Sequence, residues 1–163
     1  MRLVIRERQV LLGVAVAALA AVGAALVSQH VFDMLPCPWC VLQRFLFIVI
    51  AAFALAGAFT QGAARRVAVA LALLAGACGI ASALWQQLHA VNELACDRTL
   101  AEQVIVAMHL DSLFPNVFMA LASCADAAVN LLGIPYAVWS CALFVILSLV
   151  LAWALRFDLR RGR

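Results

Sequence analysis

Apolar positions along this chain neither alternate nor recur every three to four residues; they run. Val10 to Val27 holds no charge, Val67 to Trp85 is broken only by Ser82, and Tyr136 to Leu155 again carries no charge. Each run can cross a hydrocarbon layer of about 30 Å as a helix, the form in which every backbone amide is satisfied within the segment. A fourth run, Phe45 to Phe59, reaches crossing length only if it begins at Pro38, which brings Arg44 inside the span. The pattern predicts an all-α integral membrane protein, an antiparallel bundle of four transmembrane helices at about 10–28, 38–59, 67–87 and 136–155, forming one membrane domain over residues 1–163. Loops 29–37 and 88–135 then share one side, and both termini share the other with the turn Thr60 to Arg66.

The second loop is too long for a simple connection, and loops of that length usually carry function. Within it Leu113, Phe114, Val117, Phe118 and Leu121 fall at helical spacing. This predicts a short helix over Ser112 to Ser123 lying on the membrane surface, the alternative being a hydrophobic loop packed on the bundle.

Composition sharpens the class: 68% of residues are hydrophobic and only 12% charged, with a mean hydropathy of +1.10, which excludes an ordinary soluble domain. The first span resembles a secretory signal in being alanine-rich and following Arg2, Arg6 and Arg8. It is longer than the roughly 7 to 15 apolar residues of a signal core and leads straight into the first cysteines, so it is read as a retained helix. The chain has no lysine. With both termini cytoplasmic, that side holds Arg2, Arg6, Arg8, Arg65, Arg66, Arg156, Arg160, Arg161 and Arg163, leaving only Arg44 and Arg98 elsewhere. Asp33, Glu93, Asp97, Glu102, Asp111 and Asp126 fall on the outer side. The net charge of +3 is therefore a topology signal and not a sign of nucleic-acid binding. Trp39, Trp85, Tyr136 and Trp139 near the outer helix ends and Trp153 near the inner end suit the headgroup layer, or core packing. Abundant Ala and Gly favour close helix approach.

Six cysteines divide by topology. Cys78 and Cys141 fall inside spans and are expected to be small buried hydrophobes, whereas Cys37, Cys40, Cys96 and Cys124 fall in the outer regions, where a periplasm permits disulfides. Static disulfides are one use of those four, but Cys37-Pro38-Trp39-Cys40 would close so small a ring that little loop entropy is gained, which favours redox work. A zinc site is disfavoured because Cys96 and Cys124 lack paired knuckle spacing. Pro38 suits the first helical turn, so Cys37 is expected near the N-cap, where free amides favour a thiolate. Cys40 and Arg44 are stacked four apart on one face, and an intramembrane arginine is functional by default, although it can also snorkel as an interface anchor.

The chain resembles the DsbB family. The likeness rests on Gln29-His30, Cys37-Pro38-Trp39-Cys40, Gln43-Arg44, His89, the loop cysteines Cys96-Asp97 and Cys124-Ala125, and Leu132-Gly133 before the last helix. It implies a bacterial inner-membrane enzyme that reoxidises a periplasmic DsbA-like oxidase of thioredoxin fold and passes electrons to ubiquinone or menaquinone. It further implies redox disulfides Cys37–Cys40 and Cys96–Cys124, attack by the partner at Cys96, delivery of electrons from Cys40, and a quinone site formed with Arg44 and His89. Arg98, two residues after Cys96, departs from the aromatic that other members carry there; Leu94 to Arg98 is the segment expected to lie across the partner's groove. Rival readings are a vitamin K epoxide reductase-like enzyme, disfavoured because the CxxC here opens the second helix, a membrane reductant running electrons the other way, and a tetraspan scaffold with static disulfides.

Overall fold

The computed structural model of the chain describes residues 2–90, 99–131 and 133–161. Among these, the elements run α1 (Arg2–Val31), α2 (Pro38–Phe59), α3 (Gly62–Leu88), three short helices α4 (Leu100–Ala107), α5 (Leu110–Leu113) and α6 (Pro115–Phe118), a hairpin β1 (Asn130–Leu131) and β2 (Ile134–Pro135), and α7 (Tyr136–Arg161). Helices α1, α2, α3 and α7 contain four stretches long and apolar enough to cross a membrane, Glu7–Val31, Pro38–Phe59, Gly62–Leu88 and Tyr136–Leu159. The fold is thus the expected all-α four-helix membrane bundle. Three of the helices run past the predicted ends, because Arg, Glu and Gln are good helix formers and the backbone continues beyond the apolar stretch. Helix α2 keeps its predicted bounds: Pro38 opens it, and Thr60 closes it, its backbone N–H bonding Ala56 O.

The bundle core is built mainly from alanine, with Leu11, Val14, Ile50, Leu147 and Leu151 among the larger members. Small residues decide how close the helices come. A Cβ on Gly79 would collide with the Phe144 ring, so this glycine admits Phe144 of α7 against α3, where it stacks on Phe47 of α2 at 3.9 Å between centroids and 4° between planes. At the end away from the cysteines, Arg65 Nη1 donates to Glu7 Oε2 at 2.8 Å and Arg66 Nε to Asp158 Oδ2 at 2.9 Å, which fastens α3 to α1 and to α7.

The second loop departs from expectation in its helices. Helix formation begins earlier, at Leu100, where the Thr99 side chain accepts from Glu102 N–H. It breaks at His109, which adopts the left-handed region at φ 54°, and again at Pro115, whose predecessor Phe114 is pushed out of helical geometry. It ends at Phe118, so no continuous helix spans Ser112 to Ser123. Ala101, Ile105 and Phe118 are buried against Trp39 and Leu42 of α2, with Phe118 edge-on to Phe45. The loop therefore packs on the end of the bundle, while Leu113, Phe114, Met119 and Leu121 stay exposed. Gly133, at φ 81°, turns the hairpin that leads into α7.

One expectation about side chains is overturned, and the tryptophans divide between the two places open to them. Cys78 is exposed on the outer face of α3 and Cys141 only half-buried, since apolar positions of a membrane helix face lipid as readily as protein. Trp39 is buried in the core and lies 6.5 Å from Trp85, whereas Trp85, Trp139 and Trp153 are exposed.

Candidate redox site

The site begins with the chain's entry into α2. Pro36 O accepts from the N–H groups of Leu121 and Ala122, at 2.9 and 3.3 Å, which ties the second loop to the residue just before Cys37. Cys37 is the N-cap, its sulfur accepting from Cys40 N–H at 3.4 Å. The two sulfurs lie 3.0 Å apart in hydrogen-bonding contact. The tethered loop brings a third sulfur to the pair, because Cys124 hydrogen-bonds with Cys37 through its side chain and shares its apolar cluster. Cys96, with Arg98 and the segment Leu94 to Arg98, lies outside the described residues.

This crowding opposes the thiolate that the N-cap position of Cys37 favours. The bond to Cys124 first, then that to Cys40, and the complete burial of the side chain all push the Cys37 thiol far above its ordinary range. The single N-cap bond does not offset them.

Arg44, expected one turn below Cys40, is there and does not snorkel. Its Nη1 donates to Gln29 Oε1 of α1 at 2.5 Å and to Val117 O of the loop at 3.1 Å, and its Nη2 to Ala25 O at 3.3 Å. These bonds use three of five N–H donors, and none goes to a carboxylate. Among the described residues the guanidinium is buried without a counter-charge, a costly arrangement unless something in the site uses it.

Cys40 and Arg44 both line a cavity of about 490 Å3, with Ser28, Gln43, Gln86, Tyr136 and Ser140 among its other polar groups. Its other walls are apolar, including Ala21, Ala24, Phe47, Leu143 and Ile146. Cys37 and His89 are not in the lining. His89 caps the end of α3, exposed, with its ring 4.4 Å from that of Trp85. Gln86, one turn earlier, reaches the sulfurs instead, donating to Cys40 Sγ at 3.2 Å and Cys37 Sγ at 3.4 Å. Sequence reasoning passed over Gln86 and Ser140, although uncharged polar side chains at the ends of apolar runs are the signal that could have marked them.

The fold and site together define a multi-pass membrane protein with three thiols gathered where a loop meets the mouth of a helix. Comparison with known proteins narrows the class. The family profile described as "Disulfide bond formation protein DsbB" matches residues 7–154. Disulfide bond formation protein B of Herminiimonas arsenicoxydans is 33% identical over 146 residues, covering 89% of this chain and 92% of that protein. The protein of the same name from Cupriavidus metallidurans is 34% identical over 147 residues, covering 90% and 91%. Disulfide bond formation protein B 1 of Pseudomonas syringae pv. syringae is 30% identical over 149 residues, covering 89% and 87%. The chain belongs to the DsbB family of membrane disulfide bond formation proteins.

Proposed function

We propose that this protein is a quinone-dependent thiol:disulfide oxidoreductase of the bacterial inner membrane, with both termini cytoplasmic. It reoxidises a periplasmic DsbA-like oxidase and passes the electrons to ubiquinone or menaquinone. The observation that carries the reading is the cavity beside Cys40, which joins a reactive sulfur to apolar walls and to a buried guanidinium with no carboxylate partner among the described residues. These residues fit a quinone: the remaining donors of Arg44 suit a carbonyl oxygen, and Ala21, Ala24, Leu143 and Ile146 suit a ring and its isoprenoid tail. A quinone bound there supplies an acceptor for two electrons and two protons.

In the partner's step, a partner thiolate attacks the Cys96–Cys124 disulfide at Cys96; a mixed disulfide forms, and the partner's second thiol resolves it. The partner is oxidised and the loop pair reduced by two electrons and two protons. The contact between Cys124 and Cys37 supports the next exchange. Cys124 attacks Cys37, the Cys37–Cys40 bond breaks, and the electron pair stays on Cys40. Cys96 then recovers the loop disulfide from Cys124, leaving Cys37 reduced. Cys40, the member of the pair that lines the cavity, is the electron donor to the acceptor, and Arg44 holds negative charge at that place. His89 enters at the edge, acting through the indoles of Trp85 and Trp39, with the smallest part.

The test is a quinone titration of Arg44→Met against wild type, run beside single-turnover oxidation of a DsbA-like partner by the pre-oxidised protein. A weakened quinone dependence with preserved partner oxidation is expected. Unchanged quinone dependence with collapsed partner oxidation would move Arg44 to docking. Labelling of Cys96 by a membrane-impermeant thiol reagent from the cytoplasmic side alone would sink the orientation.

A further inference from the structure

Below the cysteine pair, two buried glutamines and a half-buried serine form one connected line across three helices. Ser140 Oγ of α7 donates to Gln43 Oε1 of α2 at 2.6 Å. Gln43 Nε2 donates to Gln86 Oε1 of α3 at 2.7 Å, and Gln86 Nε2 donates to the sulfurs of Cys40 and Cys37. Gln43 and Gln86 are each 5% exposed. Burying two primary amides is unfavourable unless both are bonded, and here each bond fixes the next. The Ser140 hydroxyl has two acceptors within reach, Gln43 Oε1 at 2.6 Å and Ala137 O at 3.0 Å, and with its hydrogen on the shorter contact the Gln43 amino group faces Gln86. The Gln86 carbonyl is thereby occupied, and its amino group is turned to the sulfurs.

The polarity of that line has a chemical consequence. A disulfide sulfur is a weak acceptor, whereas a thiolate is a strong one, so a donor fixed on Cys40, the sulfur that leaves as a thiolate when the Cys37–Cys40 bond opens, favours the reduced pair over the disulfide. We propose that the line Ser140–Gln43–Gln86 sets the reduction potential of the Cys37–Cys40 couple. Gln86 is a catalytic hydrogen-bond donor to the reacting sulfurs, and Gln43 and Ser140 are positioning residues that fix its orientation. The proposal rests on reading Cys37 and Cys40 as a redox pair. Its effect is to make the pair a stronger oxidant of the loop cysteines than the same pair in apolar surroundings.

The experiment is a redox titration of the full chain, without quinone, against mixtures of reduced and oxidised glutathione. Two reduced glutathiones become one oxidised as the pair takes up two electrons, Cys37 takes one proton, and the second proton goes to solvent with Cys40 left as the thiolate. The Cys37–Cys40 peptide is followed by differential alkylation and mass spectrometry. Gln86→Met, which removes the donor, is expected to shift the exchange equilibrium about tenfold toward the disulfide, equivalent to a potential about 30 mV more negative. Gln86→Glu keeps the bond from Gln43 but presents an acceptor to the sulfurs, and is expected to shift it at least as far. Gln43→Met touches neither sulfur and is expected to move it about threefold in the same direction. Midpoints equal to wild type in both Gln86 variants would overturn the proposal, and a shift in Gln86→Met with none in Gln43→Met would remove the positioning roles. A wild-type pair that fails to exchange with glutathione at any ratio would instead overturn the redox reading beneath it.

Discussion

Arg44 and Arg65 are equally buried, each about 6% exposed, and the fold treats them in opposite ways. Arg65 has its counter-charge built in: Glu7 at 2.8 Å, with Gly57 O and Thr60 O accepting from Nε at 3.1 and 3.0 Å. Around it the residual cavity is only about 10 Å3. Arg44 is held by neutral oxygens alone and faces a cavity of about 490 Å3. A cation whose charge is already neutralised fastens helices together. One with no carboxylate beside it among the described residues is available for chemistry, and its neutral acceptors hold it in place without quenching it.

The contrast breaks most visibly at the sulfur that Arg44 serves. Cys40→Ser is expected to abolish quinone-dependent turnover while leaving thermal unfolding close to wild type, as measured by oxygen uptake in membranes and by a melting curve. Arg65→Met is expected to do the reverse. Removing the cation that offsets a buried carboxylate costs about 3 to 5 kcal/mol of stability, and the quinone KM of protein that does fold should stay unchanged. Arg44→Met should lower kcat/KM for quinone by roughly one to two decades, the loss of a charge-assisted bond of about 1.5 to 3 kcal/mol, with partner oxidation in a single turnover nearly intact. Arg44→Lys should recover only part, because an ammonium cannot serve Gln29, Ala25 and Val117 with a planar fork. His89→Ala sharpens the comparison from outside the cavity, with a change in quinone KM of about threefold or less. Smallest of all, Cys78→Ala should leave turnover unchanged; in wild type a lipid-soluble maleimide should modify Cys78 where a membrane-impermeant one does not, whereas protection from both would place it inside the protein.

The four spans were legible because lipid demands an uninterrupted apolar run, a signal that survives without knowing which face packs. The same demand hid packing: the outward position of Cys78 and the inward one of Ala72 look alike in sequence. Helix α2 was read to the residue, since Pro38 and Thr60 are local punctuation. Thr99 and Glu102 carried an equally local start signal for α4, and Pro115 an equally local stop, but the hydrophobic spacing of 113–121 drew the prediction to the wrong stretch. At the site, Cys37, Cys40 and Arg44 were visible as neighbours on one helix. The contact of Cys124 with Cys37 was not, because it depends on a loop held by Pro36 O across 85 residues of chain, from Pro36 to Leu121. The line from Ser140 to Gln86 joins three helices, and the polar residues that mark it in sequence do not show that they meet.

The stacked rings of Phe47 and Phe144 lie one helical turn below Gln43 and Ser140, against Gly79, two turns below Gln86. Beneath them the described core is Ile50, Ala51, Ala54, Ala72, Ala75 and Leu151, and the Ser148 hydroxyl packed near Gly76 has no hydrogen-bond partner. Among the described residues, no titratable buried side chain follows until Arg65. The aromatic layer and the apolar core beneath it thus supply, among the described residues, no run of titratable side chains from the sulfurs to the arginine-rich end. Turnover at this site is expected to exchange its protons on the cysteine side and to move no charge through the bundle, and the membrane potential should leave its thiol equilibria untouched.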